Sequence, residues 1–461
     1  MSDHLLDTPV SRRNFLQATA VAGTAGAMGV GVLPGFTHLG TATAEATAKA
    51  APETVITKSF CHQCPARCGI DVYTTQGRVH AICGTLDNPL SNGKLCPKGH
   101  FGQYFLYDPD RYPGPMRRTN PNKGRDEDPM FVPISWDEAL DMLAARLNGL
   151  RTRGESHRFG LLYGRGWGAT DAGLFADFSA LYGSPNVGLG HSSMCSDASE
   201  KAKQILDGNY SYNAYDYAHT NYMLVFGAGF LESFRPYNAN MQVWGHIRTK
   251  SPKTRVTVVD VHLNTTGSAA DHLLLIKPGT DGALALAIAH VILTEGLWDR
   301  PFVGDFDDPS LRFRAGEPID PASFTQRWVS GLPEWWNTVL KDCTPEWAAE
   351  ITTIPAKQIV QTAREFGSTR PAMALFERGA SAHTNGVYNG MAIHSLNALV
   401  GSMFAEGGLH YQMKSPAGSL PFAAIDFMDD YAKAPERAVP RIDMAKTKRW
   451  PMVKNLMQEI A

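Results

Sequence analysis

Apolar residues in the middle of the chain recur with the periods of alternating strands and helices. Short, almost wholly apolar runs at 222–226, 255–259 and 272–276 predict strands that are buried on both faces. Helical patterns follow at about 236–249 and 281–295. This alternation predicts an α/β fold in which parallel strands are connected by helices.

Further elements are expected on both sides of this unit. Ser135 and Glu138 have the spacing of a capping box, which predicts a helix that continues to about residue 153. A strand is expected over 159–163 and an apolar helix over 391–400. The apolar positions of the first helix share one face: Ala139, Leu140, Leu143, Leu147 and Leu150.

Composition narrows the function classes. The 461 residues are enough for about three domains. Hydrophobic residues make up 43% and charged residues 19%, which excludes a disordered chain. The net charge of −2 argues against nucleic-acid binding, because such a protein needs a basic surplus to displace counterions from phosphates. We therefore expect no nucleic-acid partner.

The N-terminus has the pattern of an export signal. Arg12 and Arg13 precede a weakly apolar stretch rich in alanine and glycine over about 17–36, which is typical of twin-arginine signals. An uncleaved membrane tether is the alternative. We predict a signal peptide over 1–44 and a periplasmic protein. The twin-arginine route carries proteins that fold before export, commonly because they contain a cofactor.

Four cysteines have the spacing of an iron–sulfur site. Cys61, Cys64 and Cys68 form a C-x2-C-x3-C run, and Cys96 follows after 27 intervening residues. Three ligands on one loop and a fourth from a distant segment suit a [4Fe-4S] cubane, in which each iron takes one thiolate. Zinc, which usually takes its cysteines in two pairs, and disulfides are the alternatives.

The loops after the predicted strands suit a dinucleotide other than NAD. Gly227 and Gly229 follow the first strand and Asp260 ends the second, as in a dinucleotide-binding unit. Glu232 replaces the third glycine of the nicotinamide fingerprint, which counts against NAD.

A third loop leads into the helix predicted at 281–295. Gly279, Thr280 and Asp281 open this helix, where exposed amides and side chains would hold a guanine edge or a phosphate. An ordinary capped helix is the alternative.

Cys195 is the candidate ligand for a second metal. It opens a predicted helix, and a helix N-terminus favours the thiolate that a high-valent metal requires. A buried structural cysteine is the alternative interpretation.

The cysteine run, the segment Cys96-Pro97-Lys98-Gly99 and the export signal together resemble the molybdopterin oxidoreductases of the dimethyl sulfoxide reductase family. The resemblance implies a [4Fe-4S] cluster and a molybdenum bis(molybdopterin guanine dinucleotide) cofactor. It places Lys98 between the cluster and the pterin, where a cation would stabilise the reduced cluster. Cys195 would then be the molybdenum ligand.

The resemblance also assigns the remaining candidate residues. The loop of Gly279, Thr280 and Asp281, together with Asp260, would contact the guanine dinucleotide. Residues of a later loop would line the pterin, with hydrogen bonding inside the loop as the alternative, and they are Arg378, His383 and Asn385. From their charge, not from the resemblance, His191, Arg165 and Arg378 would steer a small anionic substrate towards the metal.

The resemblance implies a reductase of uncertain substrate. Ser196, rather than histidine, follows Cys195 and disfavours formate, and a cysteine ligand argues against the serine-ligated and aspartate-ligated members. A sulfur compound such as polysulfide, thiosulfate or tetrathionate is the leading expectation. Arsenate, selenate or nitrate reduction and a non-catalytic iron–sulfur scaffold are the alternatives.

The expected partners are a multi-cluster iron–sulfur subunit and a quinol-linked membrane anchor subunit. The expected architecture is an iron–sulfur domain followed by interleaved Rossmann-like α/β domains. The expected parts are a [4Fe-4S] domain at 55–110, a pterin-binding domain at 111–190 and 376–425, a dinucleotide-binding domain at 191–375 and a connector at 426–461. The family's C-terminal barrel domain is expected to be missing.

Overall fold

A computed structural model describes residues 52–64, 66–162, 169–187, 195–412 and 429–433 of the protein. The strands are β1 Thr54–Phe60, β2 Gly69–Thr75, β3 Arg78–Gly84, β4 Met116–Arg118, β5 Phe131–Pro133, β6 Asn213–Tyr215, β7 Tyr222–Phe226, β8 Arg255–Asp260, β9 His272–Leu275, β10 Gly304–Phe306, β11 Phe324–Gln326, β12 Ala372–Phe376 and β13 Leu409–Tyr411. Within these ranges, no helix is long and apolar enough to cross a bilayer.

The helices provide most of the packing around the strands. They are α1 Pro97–His100, α2 Gly102–Leu106, α3 Trp136–Thr152, α4 Ala169–Tyr182, α5 Asp197–Asp207, α6 Tyr237–Thr249, α7 Thr265–Ala269, α8 Asp281–Thr294, α9 Arg300–Val303, α10 Leu332–Thr338, α11 Pro345–Thr352, α12 Ala356–Ser368, α13 Arg378–Ser381, α14 Gly386–Leu399 and α15 Asp430–Lys433. Short 3-10 turns lie at Ser156–Arg158, Pro321–Ser323 and Leu340–Asp342.

The first sheet holds the loop that contains three of the clustered cysteines. Strands β1, β2 and β3 pair antiparallel in that order. Phe60 is opposite Gly69 in the β1–β2 register, so residues 61–68 form a closed loop at one end of the sheet. This sheet positions the loop against α1, which begins after Cys96.

The central sheet is parallel and buried on both faces. Its strand order is β12-β7-β8-β9, and each neighbouring pair is parallel. Alternate residues of β7 point to opposite sides, so Tyr222, Leu224 and Phe226 pack in one core and Met223 and Val225 in the other. The predicted α/β class and the three predicted strands are confirmed.

The four carboxyl ends of this sheet lie at one edge. The chain moves from β7 to β8 and β9 in one direction, whereas β12 lies on the other side of β7. The change of direction between β7 and β12 is the topological switch point, where open α/β sheets bind ligands. Strand β12 was not expected from the sequence, although its apolar run is as clear as that of β7.

One expected strand does not form. The strand expected over 159–163 is reduced to one isolated parallel bridge between Leu161 and Val187 in the part of the chain that is described. Without a longer partner, the apolar run cannot build a ladder. Helix α3 forms as expected, with the Ser135 hydroxyl accepting from the Glu138 amide at 3.0 Å. Its apolar face is not buried by the described residues, since more than half of Leu140 and of Leu143 is exposed.

Candidate metal and cofactor site

Four cysteines lie together where the β1–β2 loop meets α1. Cys61, Cys64 and Cys68 are in the loop, and Cys96 directly precedes α1. The Cys61 amide donates to the Cys68 carbonyl oxygen at 2.9 Å and closes the loop. Burial raises the pKa of the Cys61 thiol, and the proximity of Cys64 and Cys96 raises it further. All four are free thiols, as metal ligands must be before loading.

The four thiols lie close enough together for their charges to interact. Burial raises the pKa of the Cys68 thiol, and the proximity of Cys64, Cys61 and Cys96 raises it further. In a [4Fe-4S] cubane each iron takes its own thiolate. The four neighbouring cysteines can therefore supply one ligand to each iron.

Helix α6 is anchored on the cysteine loop. Asn238 donates to the carbonyl oxygens of Lys94 at 2.8 Å and Leu90 at 3.2 Å, and its side chain also hydrogen-bonds Cys68. Lys98 of α1 lies 5.0 Å from the ring centroid of Tyr237 and opposes the raised pKa of Cys61. Lys98 is thus beside the cysteines and faces α6, and its expected place between the cluster and the pterin stays a prediction. Sequence reasoning missed Asn238.

A cavity of about 460 Å³ runs from the cysteine loop to the edge of the central sheet. Its lining includes Ala66 of the cysteine loop and Glu377 and Arg378, which follow β12. Arg235 also lines it, with its guanidinium 4.4 Å from the Tyr212 ring centroid. Its Nη2 is buried and has no hydrogen-bond partner among the described residues. A buried unpaired guanidinium nitrogen suits an anionic ligand.

Cys195 contacts Arg378, which lines this cavity. Arg378 donates from Nε and Nη2 to the Cys195 sulfur at 3.3 and 3.2 Å. Nη2 also donates to the Tyr212 hydroxyl at 3.0 Å, and Nη1 to Glu377 Oε2 at 3.2 Å. Cys195 directly precedes Ser196, the N-cap of α5, as expected. The candidates His191 and Arg165 lie outside the described residues.

Buried charges surround this group. Glu377 is 6% exposed and Lys203 of α5 is 2% exposed. Burial raises the pKa of Glu377, and Lys203, Arg378 and Arg235 oppose that rise. Burial lowers the pKa of Lys203, and Glu377 and Glu200 oppose that fall. The group is therefore a network of opposite charges held out of water.

Two glycines bring the loops after β7 and β12 into contact. A Cβ at Gly227, where φ is +52°, would lie 2.6 Å from the Ala380 amide nitrogen. A Cβ at Gly379 would lie 2.4 Å from the Gly227 carbonyl oxygen. Gly227 therefore allows close packing at the switch point. Gly229 faces Ser233 and Glu232. The expected contact of Gly227 and Gly229 with the cofactor stays a prediction.

Three of the predicted nucleotide residues gather at the same edge. Asp281 begins α8 and is buried, and burial raises its pKa to about 6. His383 and Asp260 are its charged neighbours. His383 packs over Gly279, whose Cβ position is 3.7 Å from the imidazole, and its Nε2 is 2.8 Å from the Gly379 carbonyl oxygen.

The other predicted residues of this edge have local roles. Asp260 accepts from the Asn264 amide group at 2.8 Å and orders the loop after β8. Thr280 is the N-cap position of α8, but its hydroxyl donates to the Lys277 carbonyl oxygen at 2.7 Å instead of capping the helix. Asn385 precedes α14 without a side-chain cap bond.

Comparison with known families identifies the chain. The model of the molybdopterin oxidoreductase family matches residues 111–459, and that of the molybdopterin oxidoreductase Fe4S4 domain matches 54–108. The chain belongs to the molybdopterin oxidoreductase family. This molybdopterin oxidoreductase therefore carries a [4Fe-4S] cluster and a molybdenum–molybdopterin cofactor. A twin-arginine signal matches residues 9–29 and indicates export to the periplasm.

Several curated proteins are similar to this molybdopterin oxidoreductase. The arsenate respiratory reductase molybdopterin-containing subunit of Shewanella sp. is 41% identical over 81% of this chain and 43% of its own length. The corresponding arsenate respiratory reductase subunit of Chrysiogenes arsenatis is 36% identical over 96% of this chain and 51% of its own length. The thiosulfate reductase molybdopterin-containing subunit of Salmonella typhimurium is 29% identical over 88% of this chain and 48% of its own length. The chain thus spans about half the length of these relatives.

A solved structure shares the fold of this oxidoreductase. Acetylene hydratase from Pelobacter acetylenicus superposes with a TM-score of 0.60 and 21% identity, over 76% of this chain and 44% of that one. At that identity the similarity shows the fold alone.

The residues of the oxidoreductase fit the groups that its family carries. Four free thiols are available to a cubane, and the adjoining cavity has an unpaired buried guanidinium for an anionic cofactor. Sequence reasoning missed Glu377 and Lys203. Glu377 directly follows a buried apolar run, which was an available signal, whereas Lys203 lies on an amphipathic helix, where lysine usually faces solvent.

Proposed function

We propose that the protein is the catalytic subunit of a periplasmic reductase for arsenate. The proposal is supported by the 41% and 36% identity to arsenate respiratory reductase subunits, compared with 29% for the thiosulfate reductase subunit. The observation that carries it is Cys195, which accepts two guanidinium hydrogen bonds beside a cavity bordered by the cysteine loop. A sulfur substrate, the leading expectation from the sequence, is the second candidate because of the thiosulfate reductase relative.

Named residues would hold each group. Cys61, Cys64, Cys68 and Cys96 would bind the cluster, and Cys195 would bind molybdenum. Gly279 and Asp281, with Asp260 and His383, would hold a guanine dinucleotide end of the cofactor. When bound, molybdenum supplies two-electron atom-transfer chemistry and the cluster supplies one-electron transfer.

The protein's own side chains would bind and orient the anion. Arg378 and Arg235 make one end of the cavity positive, which favours an oxyanion over a neutral substrate. Arg165 and His191 would add to this charge. Lys98, beside the cysteines, would offset the negative charge that the cluster gains on reduction.

The proposed partners are a multi-cluster iron–sulfur subunit and a quinol-linked membrane subunit. The subunit names of the relatives indicate multi-subunit reductases, which makes an electron-donating partner reasonable. Such a partner would dock near the cysteine loop, since the cluster is the entry point for electrons.

Elemental analysis and turnover test the proposal. We expect about four iron and one molybdenum per chain, and reduced viologen turnover that is fastest with arsenate among arsenate, thiosulfate, tetrathionate, polysulfide and nitrate. Iron without molybdenum would favour a non-catalytic electron-transfer scaffold. Preference for thiosulfate, tetrathionate or polysulfide would favour the sulfur reductase.

A further inference from the structure

We propose that Glu377 is a positioning residue, which holds the Arg378 guanidinium on the Cys195 sulfur and thereby sets the redox potential of the metal bound there. The inference rests on the proposed role of Cys195 as the molybdenum ligand. It concerns a residue that lies outside the ligand set and does not contact the sulfur itself.

The guanidinium of Arg378 is fixed by contacts on each of its nitrogens. Nη1 donates to Glu377 Oε2, while Nε and Nη2 donate to the Cys195 sulfur. Because the guanidinium is planar and rigid, holding Nη1 fixes the direction of the opposite edge. Glu377 therefore determines how Arg378 meets the sulfur.

Glu377 is itself held from a second side. Its Oε2 accepts from the Ser199 hydroxyl of α5 at 3.4 Å, and its side chain is only 8% exposed. Ser199 is four residues after Cys195, so the same helix that begins at the cysteine also fixes the carboxylate. Rotation of Glu377 away from Arg378 would break both contacts.

Lys203 balances the charge of this carboxylate. It lies on α5 at 2% exposure, and its ammonium is 5.3 Å from the Tyr212 ring centroid. Tyr212 is also the second acceptor of Arg378 Nη2. Lys203 and Arg378 are therefore both cationic neighbours of the Glu377 carboxyl group.

Hydrogen bonds to a metal-bound sulfur tune the metal's potential. Donors to a ligating thiolate withdraw electron density from it and stabilise the reduced metal, which raises the midpoint potential. Removal of the Glu377 carboxylate would loosen Arg378 and lower that potential. Substrate binding through other groups would be little affected.

The test compares holoenzyme variants by redox titration of the molybdenum(V) electron paramagnetic resonance signal. In Glu377→Gln we expect a lower molybdenum midpoint potential, an altered molybdenum(V) spectrum and about tenfold lower kcat with KM nearly unchanged. Arg378→Lys should change the potential in the same direction. Glu365→Gln is the matched control, because this half-buried carboxylate belongs to α12 on another part of the sheet.

A second variant distinguishes an effect of Glu377→Gln on folding from its effect on the metal's potential. Glu377→Gln removes the strongest of the acidic neighbours of the buried Lys203 and leaves Glu200 and Asp207, whereas Glu377→Gln combined with Lys203→Gln removes both members of the pair. We expect the double variant to retain iron and molybdenum and to show the same lowered potential. A wild-type potential in both variants at full molybdenum content would overturn the inference, as would a raised KM with unchanged potential. Wild-type protein without molybdenum would instead overturn the proposed function.

Discussion

Asp281 is a buried carboxyl group at the start of α8. Burial raises its pKa from 3.8 to about 6, with His383 lowering it and Asp260 raising it. Burial therefore disfavours the charged form in the cofactor-free fold. A nucleobase that donates hydrogen bonds to the carboxylate would reverse this preference, since it favours the charged form.

Asp281 predicts a pH dependence of stability. Because the folded pKa is above the unfolded value, its stabilising proton is fully bound below pH 3.8 and is lost as the pH rises through about 6. Cofactor-free protein should lose about 3 kcal/mol of unfolding free energy from this group between pH 4 and 8. Urea unfolding of wild type and Asp281→Asn measures it, with Asp126→Asn on an exposed loop as the control. An equal loss in Asp281→Asn would contradict the prediction.

The cysteines offer a second comparison at single-residue scale. Cys96→Ser should abolish the cluster, because a serine oxygen replaces one of the four soft sulfur ligands. Cys83→Ser should retain it, since Cys83 is on β3 opposite Asp71 and outside the ligand set. Iron content and the visible absorbance of the purified variants check this. If Cys83→Ser lost its iron while Cys96→Ser kept it, Cys83 and not Cys96 would be the fourth cluster ligand.

At the scale of elements, the sequence predicts what local patterns determine. Strands β7, β8 and β9 and helices α6 and α8 begin and end within one or two residues of their predicted positions, because buried parallel strands and their flanking loops have clear patterns. Residues 159–162 belong to a similar apolar run but do not form a strand. A strand also needs a partner, and partnership is a tertiary property.

The glycine contact between the loops after β7 and β12 predicts a stability effect. Gly227→Ala places a methyl group 2.6 Å from a backbone nitrogen at positive φ, so we expect about 3 kcal/mol of destabilisation. Gly245→Ala is the control, because nothing lies within 4 Å of its Cβ position inside α6 and alanine should stabilise that helix slightly. Thermal unfolding measures both. If the two variants had the same unfolding temperature, the loops after β7 and β12 could move apart without a loss of stability.

At the scale of the whole molecule, two sites that are distant in sequence border one cavity. Cysteine spacing was sufficient to predict that the four cysteines lie together, because three of them are on one short loop. Arg378 was expected near the metal from its charge, but its contacts with Cys195 and Glu377 were not predictable, since Arg378 follows a strand end almost two hundred residues away from Cys195. Only the parallel pairing of β12 with β7 brings them to the sheet edge. Domain boundaries and the contacts of His191 and Arg165 stay predictions.

The shared cavity predicts that one substitution can prevent binding of the molybdenum cofactor while the iron–sulfur cluster is retained. Ala239 of α6 lines the cavity between the cysteine loop and Arg378, so Ala239→Trp would fill space that the molybdenum cofactor needs. The cluster cysteines lie on a separate loop and sheet, and the iron should stay at about four per chain while molybdenum falls at least about tenfold.

Metal analysis of Ala239→Trp should be paired with His246→Trp, which places the same side chain on the exposed face of α6. The control should keep both metals, because its indole points away from the cavity into solvent. Full molybdenum in Ala239→Trp would mean that the cofactor lies elsewhere. Loss of iron together with molybdenum would mean that the cysteine loop depends on α6 for its structure, as the hydrogen bonds of Asn238 to that region allow. Asn238→Ala would then also release iron, with the cavity left open.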